Sequence, residues 1–160
     1  MDIPFIKSPN FTKGRGGKKI KYIIIHSMAG FYEGSQAWFK NPKSQVSAHY
    51  LISQKGEVVQ MVRDTETAWQ CHNLNSQSIG IELEDKRNTS SPDWITKELY
   101  EKAVELTADL CKKHSIPIEN IYTHCDPFIQ KINGKGWAHS DPGPHWDNSK
   151  FREDVAHRLQ

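Results

Sequence analysis

The sequence predicts a single α/β domain, a central mixed β-sheet flanked by helices. Three observations predict it. Short β-branched runs alternate with segments of helical period. Clusters of Gly, Pro and Asn separate them. A chain of 160 residues, 36% hydrophobic and 25% charged, is enough for one core.

Residues 1–19 read as an N-terminal segment and residues 20–160 as the domain proper. Gly14-Arg15-Gly16-Gly17-Lys18-Lys19 reads as a flexible, basic surface loop. Residues 20–25 are β-branched or aromatic apart from Lys21, as in a buried strand, with His26 at the C-terminal end. A strand end is a stiff place from which to project a ligand. Residues 35–40 read as a short helix stopped at Asn41-Pro42. Residues 49–53 and 58–62 are strand-like, and Gln54-Lys55-Gly56-Glu57 joins them as a hairpin.

Residues 78–84 form a further strand, with Ile79, Ile81 and Leu83 on one face and Gly80, Glu82 and Glu84 on the other. The clearest helix spans 97–113, where Leu99, Ala103, Leu106 and Leu110 make one apolar stripe. Thr96 suits its N-cap, Lys112, Lys113 and His114 suit its last turn, and Pro117 prevents continuation. Residues 118–123 return as a strand leading to His124, and a last helix follows Asp147.

Composition narrows the function. With 21 Lys and Arg against 19 Asp and Glu, the formal charge of +2 gives no footprint for nucleic acid. No apolar run suits membrane insertion. Cys71, Cys111 and Cys125 lack a disulfide-like spacing and suit a reducing compartment, and Met1-Asp2-Ile3-Pro4 does not read as a secretory signal. The eight histidines stand out, because histidine is the commonest metal ligand.

Two strands end in histidine, His26 and His124, and a rigid Pro/Gly loop carries Asp141. Two imidazoles and a carboxylate around a tetrahedral zinc leave a fourth position for water, as in hydrolytic sites. Taken singly, each is by default a structural histidine or a turn.

The ordered segments are more specific. They are Val46-Ser47-Ala48-His49-Tyr50-Leu51-Ile52, Gly56-Glu57-Val58-Val59-Gln60, Ala68-Trp69, Ser78-Ile79-Gly80-Ile81-Glu82-Leu83-Glu84, Thr123-His124-Cys125-Asp126 and Ser140-Asp141-Pro142-Gly143-Pro144. In this order they resemble the type 2 N-acetylmuramoyl-L-alanine amidases, over roughly residues 20–155. The resemblance implies a zinc site in a surface groove, with one Zn2+ per chain on His26, His124 and Asp141. It implies Glu82 as catalytic acid/base; strand alternation alone does not separate Glu82 from Glu84.

The chain departs from the family pattern in places. Where many members carry a catalytic lysine two residues before the third ligand, this chain has His139, which can also donate a hydrogen bond to a developing oxyanion or can merely stack in the loop. Where many place histidine after Ala-Trp, this chain has Gln70, then Cys71 and His72. Residues 127–137 look like an insertion that forms a groove wall. His49, Trp69, His72 and Trp137 are candidate groove residues. Cys125 reads as a buried small residue, and His145 and Trp146 are expected to pack near Asp141.

The expected activity is hydrolysis of the amide between the lactyl group of N-acetylmuramic acid and L-alanine. The partner is peptidoglycan, both glycan strand and stem peptide, and the chain is expected to act as a monomer. The expected setting is a phage or prophage endolysin, made in the cytoplasm and reaching the wall after holin-type release. The alternatives are a non-catalytic peptidoglycan-binding module, a cytoplasmic recycling amidase for anhydro-muropeptides, and a histidine-rich α/β protein without metal.

Overall fold

The computed structural model describes all 160 residues. Strand β1 is Phe11–Thr12, β2 is Tyr22–Ser27, and helix α1 is Tyr32–Lys40. Strands β3 (Tyr50–Ile52), β4 (Val58–Gln60), β5 (Thr67–Ala68) and β6 (Ser78–Leu83) follow. Helix α2 is Lys97–His114, β7 is Ile121–Thr123, α3 is Pro127–Asn133 and α4 is Asn148–Arg158.

Five strands form the main sheet in the order β4-β3-β6-β2-β7. Strand β2 is parallel to β6 and β7, β3 is parallel to β6, and β4 closes the edge antiparallel to β3. The sheet is mixed and helices flank it, as expected. The parallel strands therefore end together at one edge, where open α/β sheets place their ligands.

The two faces are covered differently. Ile23, Ile25, Ile79, Ile81 and Leu83 pack with Leu99, Ala103 and Leu106 of α2 and Phe151 of α4 in the main core. On the other face, Leu51 and Val59 meet Phe39 of α1, and Ile24 meets Leu74 and Ile129. The stripe read for α2 is buried as expected, and Thr96 caps it by accepting from Leu99 N at 3.2 Å.

Three features depart from expectation. Residues 118–120 are a 3-10 turn, so β7 is only three residues long. The insertion at 127–137 contains a helix, α3, with Asp126 Oδ1 accepting from Phe128 N and Pro127 in the first turn. The basic loop is not free at Arg15, which is only 9% exposed. Its Nε donates to Asp64 O at 2.7 Å and its Nη1 to Ser76 O and Ser78 O, each at 3.0 Å. Those carbonyls and the two-residue β1–β5 pairing tie the N-terminal segment to the domain, and no local pattern announces either. Phe5 also bridges to Gln60.

Candidate metal centre

His26 and Glu82 owe their places to sheet register. They are Cα partners across β2 and β6. Period-two alternation puts His26 on the face of Ile24, and Glu82 on the face of Gly80, away from the main core. His124 follows β7, and its N–H continues the pairing by donating to Ile25 O at 3.0 Å. The loop carrying Asp141 is tied down where Cys125 N donates to Asp141 O at 3.1 Å.

One donor atom from each of His26, His124 and Asp141 lies within 4.8 Å of the others. Asp141 faces both rings, with Oδ2 at 3.3 Å from His26 Nδ1 and Oδ1 at 2.9 Å from His124 Nδ1. Donors about 2.0–2.1 Å from a tetrahedral ion stand about 3.3 Å apart, so these three groups fit a divalent metal. Glu82 Oε2 lies 3.8 Å from His26 Nδ1, and His124 Nε2 is buried without a partner.

The electrostatics favour a cation. Burial lowers the His26 imidazole, but Glu82 and Asp141 outweigh it and raise the group to about 9. Burial lowers His124 to about 4, and the neighbouring His26 works in the same direction. The two ring centroids lie 4.2 Å apart, so burial and mutual proximity disfavour charging both imidazoles at once. Burial acts against the Asp141 carboxylate, yet hydrogen bonds with His124 and His26 hold it well below the usual range. Burial raises Glu82 to about 7, with His26 opposing and Asp141 and Asp85 assisting. A carboxylate in that range is suited to general acid/base work near neutral pH.

The cluster opens into a trough of about 870 Å³ lined by Trp38, Trp69, His72, Trp137 and His139 among others. The His139 ring is exposed and stacks on His124 with centroids 4.0 Å apart, and Trp137 meets His124 edge-on at 4.9 Å. The 127–137 insertion supplies Trp137 and so does form part of the wall.

Several expectations need correction. His49 is fully buried and not in the trough. Its Nδ1 accepts from Gly80 N at 3.2 Å, and its Nε2 lies 2.9 Å from Glu66 O and 3.1 Å from Arg15 Nη2. It supports the sheet from beneath, and no substrate can reach it. Glu84 shares the strand face of Glu82 in the sequence pattern but is buried, and accepts from Tyr32 N and Gln54 N. Cys125 is only half-buried. Trp146 packs on Trp94, Tyr100 and Phe151 in the main core, while His145 reaches Ser90 O.

Two further residues belong to the site, Trp38, which sequence reasoning passes over, and Gln70, which it names only as a departure from the family pattern. Trp38 lines the trough and is 54% exposed. Gln70 touches His26 directly, with Oε1 at 2.5 Å from Nε2. Its one signal was the break in the Ala-Trp-His pattern.

A family model described as N-acetylmuramoyl-L-alanine amidase matches residues 16–144. N-acetylmuramoyl-L-alanine amidase A of Achromobacter lyticus is 33% identical over 141 residues, covering 79% of this chain and 78% of that protein. The 1,6-anhydro-N-acetylmuramyl-L-alanine amidase AmpD of Salmonella typhimurium is 32% identical over 70% of this chain and 58% of its own length. In fold, the chain matches a mutant endolysin from Bacillus subtilis with a TM-score of 0.66 and 23% identity, over 97% of this chain and 99% of that one.

Proposed function

Because the chain belongs to the N-acetylmuramoyl-L-alanine amidase family, we propose that it cleaves peptidoglycan between the lactyl group of N-acetylmuramic acid and the L-alanine of the stem peptide, using zinc held by His26, His124 and Asp141. The observation that carries this is the convergence of those three groups at the floor of an open trough, with Glu82 beside them. A zinc ion bound there would polarise the carbonyl and lower the pKa of water to about 7.

The chain's own groups do the rest. Glu82 accepts the proton of the attacking water as its oxygen adds to the carbonyl carbon. The carbon–nitrogen bond then breaks, and Glu82 passes the proton to the departing alanine amine. His139, on the trough wall above His124, donates a hydrogen bond to the developing oxyanion. Asp141, the carboxylate among the three proposed ligands, faces both imidazoles.

The substrate read here is the wall polymer. An open trough with three tryptophans along it suits an extended glycan–peptide strand. The endolysin setting, with release through a permeabilised membrane, is part of the same proposal. So is action as a monomer, which rests on a cluster complete within one chain. Muropeptide recycling is the other reading, and the relation to AmpD favours it.

Mass spectrometry of digested sacculi tests the proposal. New N-terminal alanine, lost on chelation and restored by zinc, is the expected result. Wall binding without cleavage, or cleavage unaffected by complete metal removal, would overturn it. Faster turnover of soluble anhydro-muropeptide than of sacculi would favour recycling.

A further inference from the structure

We propose that Gln70 is a positioning residue for His26, its side-chain amide fixing which imidazole nitrogen is presented to the metal. This rests on the reading that His26, His124 and Asp141 hold zinc.

Hydrogen-bond direction carries the argument. The carbonyl oxygen of Leu74 can only accept, and Ser78 Oγ lies 2.8 Å from it. Ser78 therefore commits its single proton there and can only accept from its other neighbour. That neighbour is the Gln70 amide, 2.7 Å away, so the amide nitrogen must face Ser78. The amide oxygen then faces His26 Nε2 at 2.5 Å. An oxygen acceptor requires a proton on Nε2. In the neutral ring this leaves the free electron pair on Nδ1, the nitrogen that points at Asp141 and Glu82.

The relay is built in from both sides. Gln70 N and Cys71 N both donate to Asn75 Oδ1, at 3.0 and 2.6 Å, which holds the turn carrying the amide. Gly80 leaves room for it, since a Cβ at position 80 would stand 2.7 Å from Gln70 Cγ and Cδ. The chain thus replaces the histidine common after Ala-Trp with an amide that reaches the ligand through space cleared by a glycine.

The test is zinc affinity by chelator competition, measured on the whole chain. Gln70→Leu keeps much of the bulk and removes the acceptor, and it should weaken zinc binding about 10- to 100-fold. Gln70→Glu keeps the acceptor for His26 but loses the donor to Ser78, and should retain more affinity than Gln70→Leu. Gly80→Ala should weaken binding by displacing an unaltered Gln70. Equal affinity in the wild type and Gln70→Leu would overturn the inference while leaving the zinc reading intact. A wild type that binds no zinc would instead overturn the zinc reading. Should Gln70→Leu fail to fold, imidazole nitrogen NMR of the zinc-loaded wild type decides the matter. A protonated Nε2 with Nδ1 on the metal is expected for His26, and the reverse assignment would overturn the inference.

Discussion

His26 and Glu82 are Cα partners on adjacent parallel strands, and their side chains leave the sheet on the same face, 3.8 Å apart at Nδ1 and Oε2. The spacing between a metal ligand and the proposed acid/base is therefore set by backbone register. A slip of one residue in either strand would turn that side chain into the main core.

Glu82→Gln preserves shape and removes the proton acceptor. Its kcat on peptidoglycan should fall by about 10²- to 10⁴-fold. Bound zinc, measured by elemental analysis, should stay at one per chain, because Glu82 is not among the three proposed ligands. Retention of full activity would remove Glu82 from the mechanism.

Trp38 projects from α1 into the trough with 54% of its surface free. A flat aromatic face in that position suits binding of a substrate remote from the reacting bond. Trp38→Ala should raise KM on sacculi roughly 5- to 30-fold, as expected for loss of about 1–2 kcal/mol of uniform binding, with kcat little changed. An unchanged KM would exclude the α1 wall from substrate binding.

His49 makes stability depend on pH. Burial lowers its pKa to about 4, while an unfolded histidine titrates near about 6.5. Between those values the unfolded chain binds a proton that the folded chain refuses. Stability contributed at this site is thus full above the window and is lost as pH falls through it, by up to about 1.4 kcal/mol per pH unit. His49→Gln removes that titration. The stability advantage of the wild type over this variant, from urea denaturation, should shrink between about pH 6.5 and pH 4. A constant difference would mean that His49 is not buried neutral.

Arg15 anchors the N-terminal segment. Arg15→Ala would strand the carbonyls of Asp64, Ser76 and Ser78, which now accept from the guanidinium. Two of these contacts are buried and the one to Ser76 only partly, so at about 1–3 kcal/mol for each buried group left unpaired the variant should lose at least about 2 kcal/mol. Arg15→Lys should recover only part, since an ammonium lacks the planar fork. We likewise expect a chain starting at residue 20 to melt below the full chain. Equal melting temperatures would show that the domain stands without the segment.

The order of elements was readable wherever a periodic stretch was long enough to carry a signal. Helix α2 shows its stripe over 18 residues, and the isoleucine runs of β2 and β6 mark a buried sheet. Strands β1 and β5, at two residues each, carry no period. Helix α3 was hidden because its seven residues cover only two turns and bury just Ile129 and Asn133.

The chain by itself determined the α/β class, and its motifs pointed to His26, His124 and Asp141, because those signals are written in neighbouring residues. Glu82 and Glu84 were equivalent on a strand face until the tertiary structure ended β6 at Leu83 and gave Glu84 to Tyr32 and Gln54. Folding also buried His49, drew in Arg15 and set Gln70 against His26. Each of those outcomes depends on groups 30 or more residues apart meeting in space, and local periodicity holds no record of such meetings.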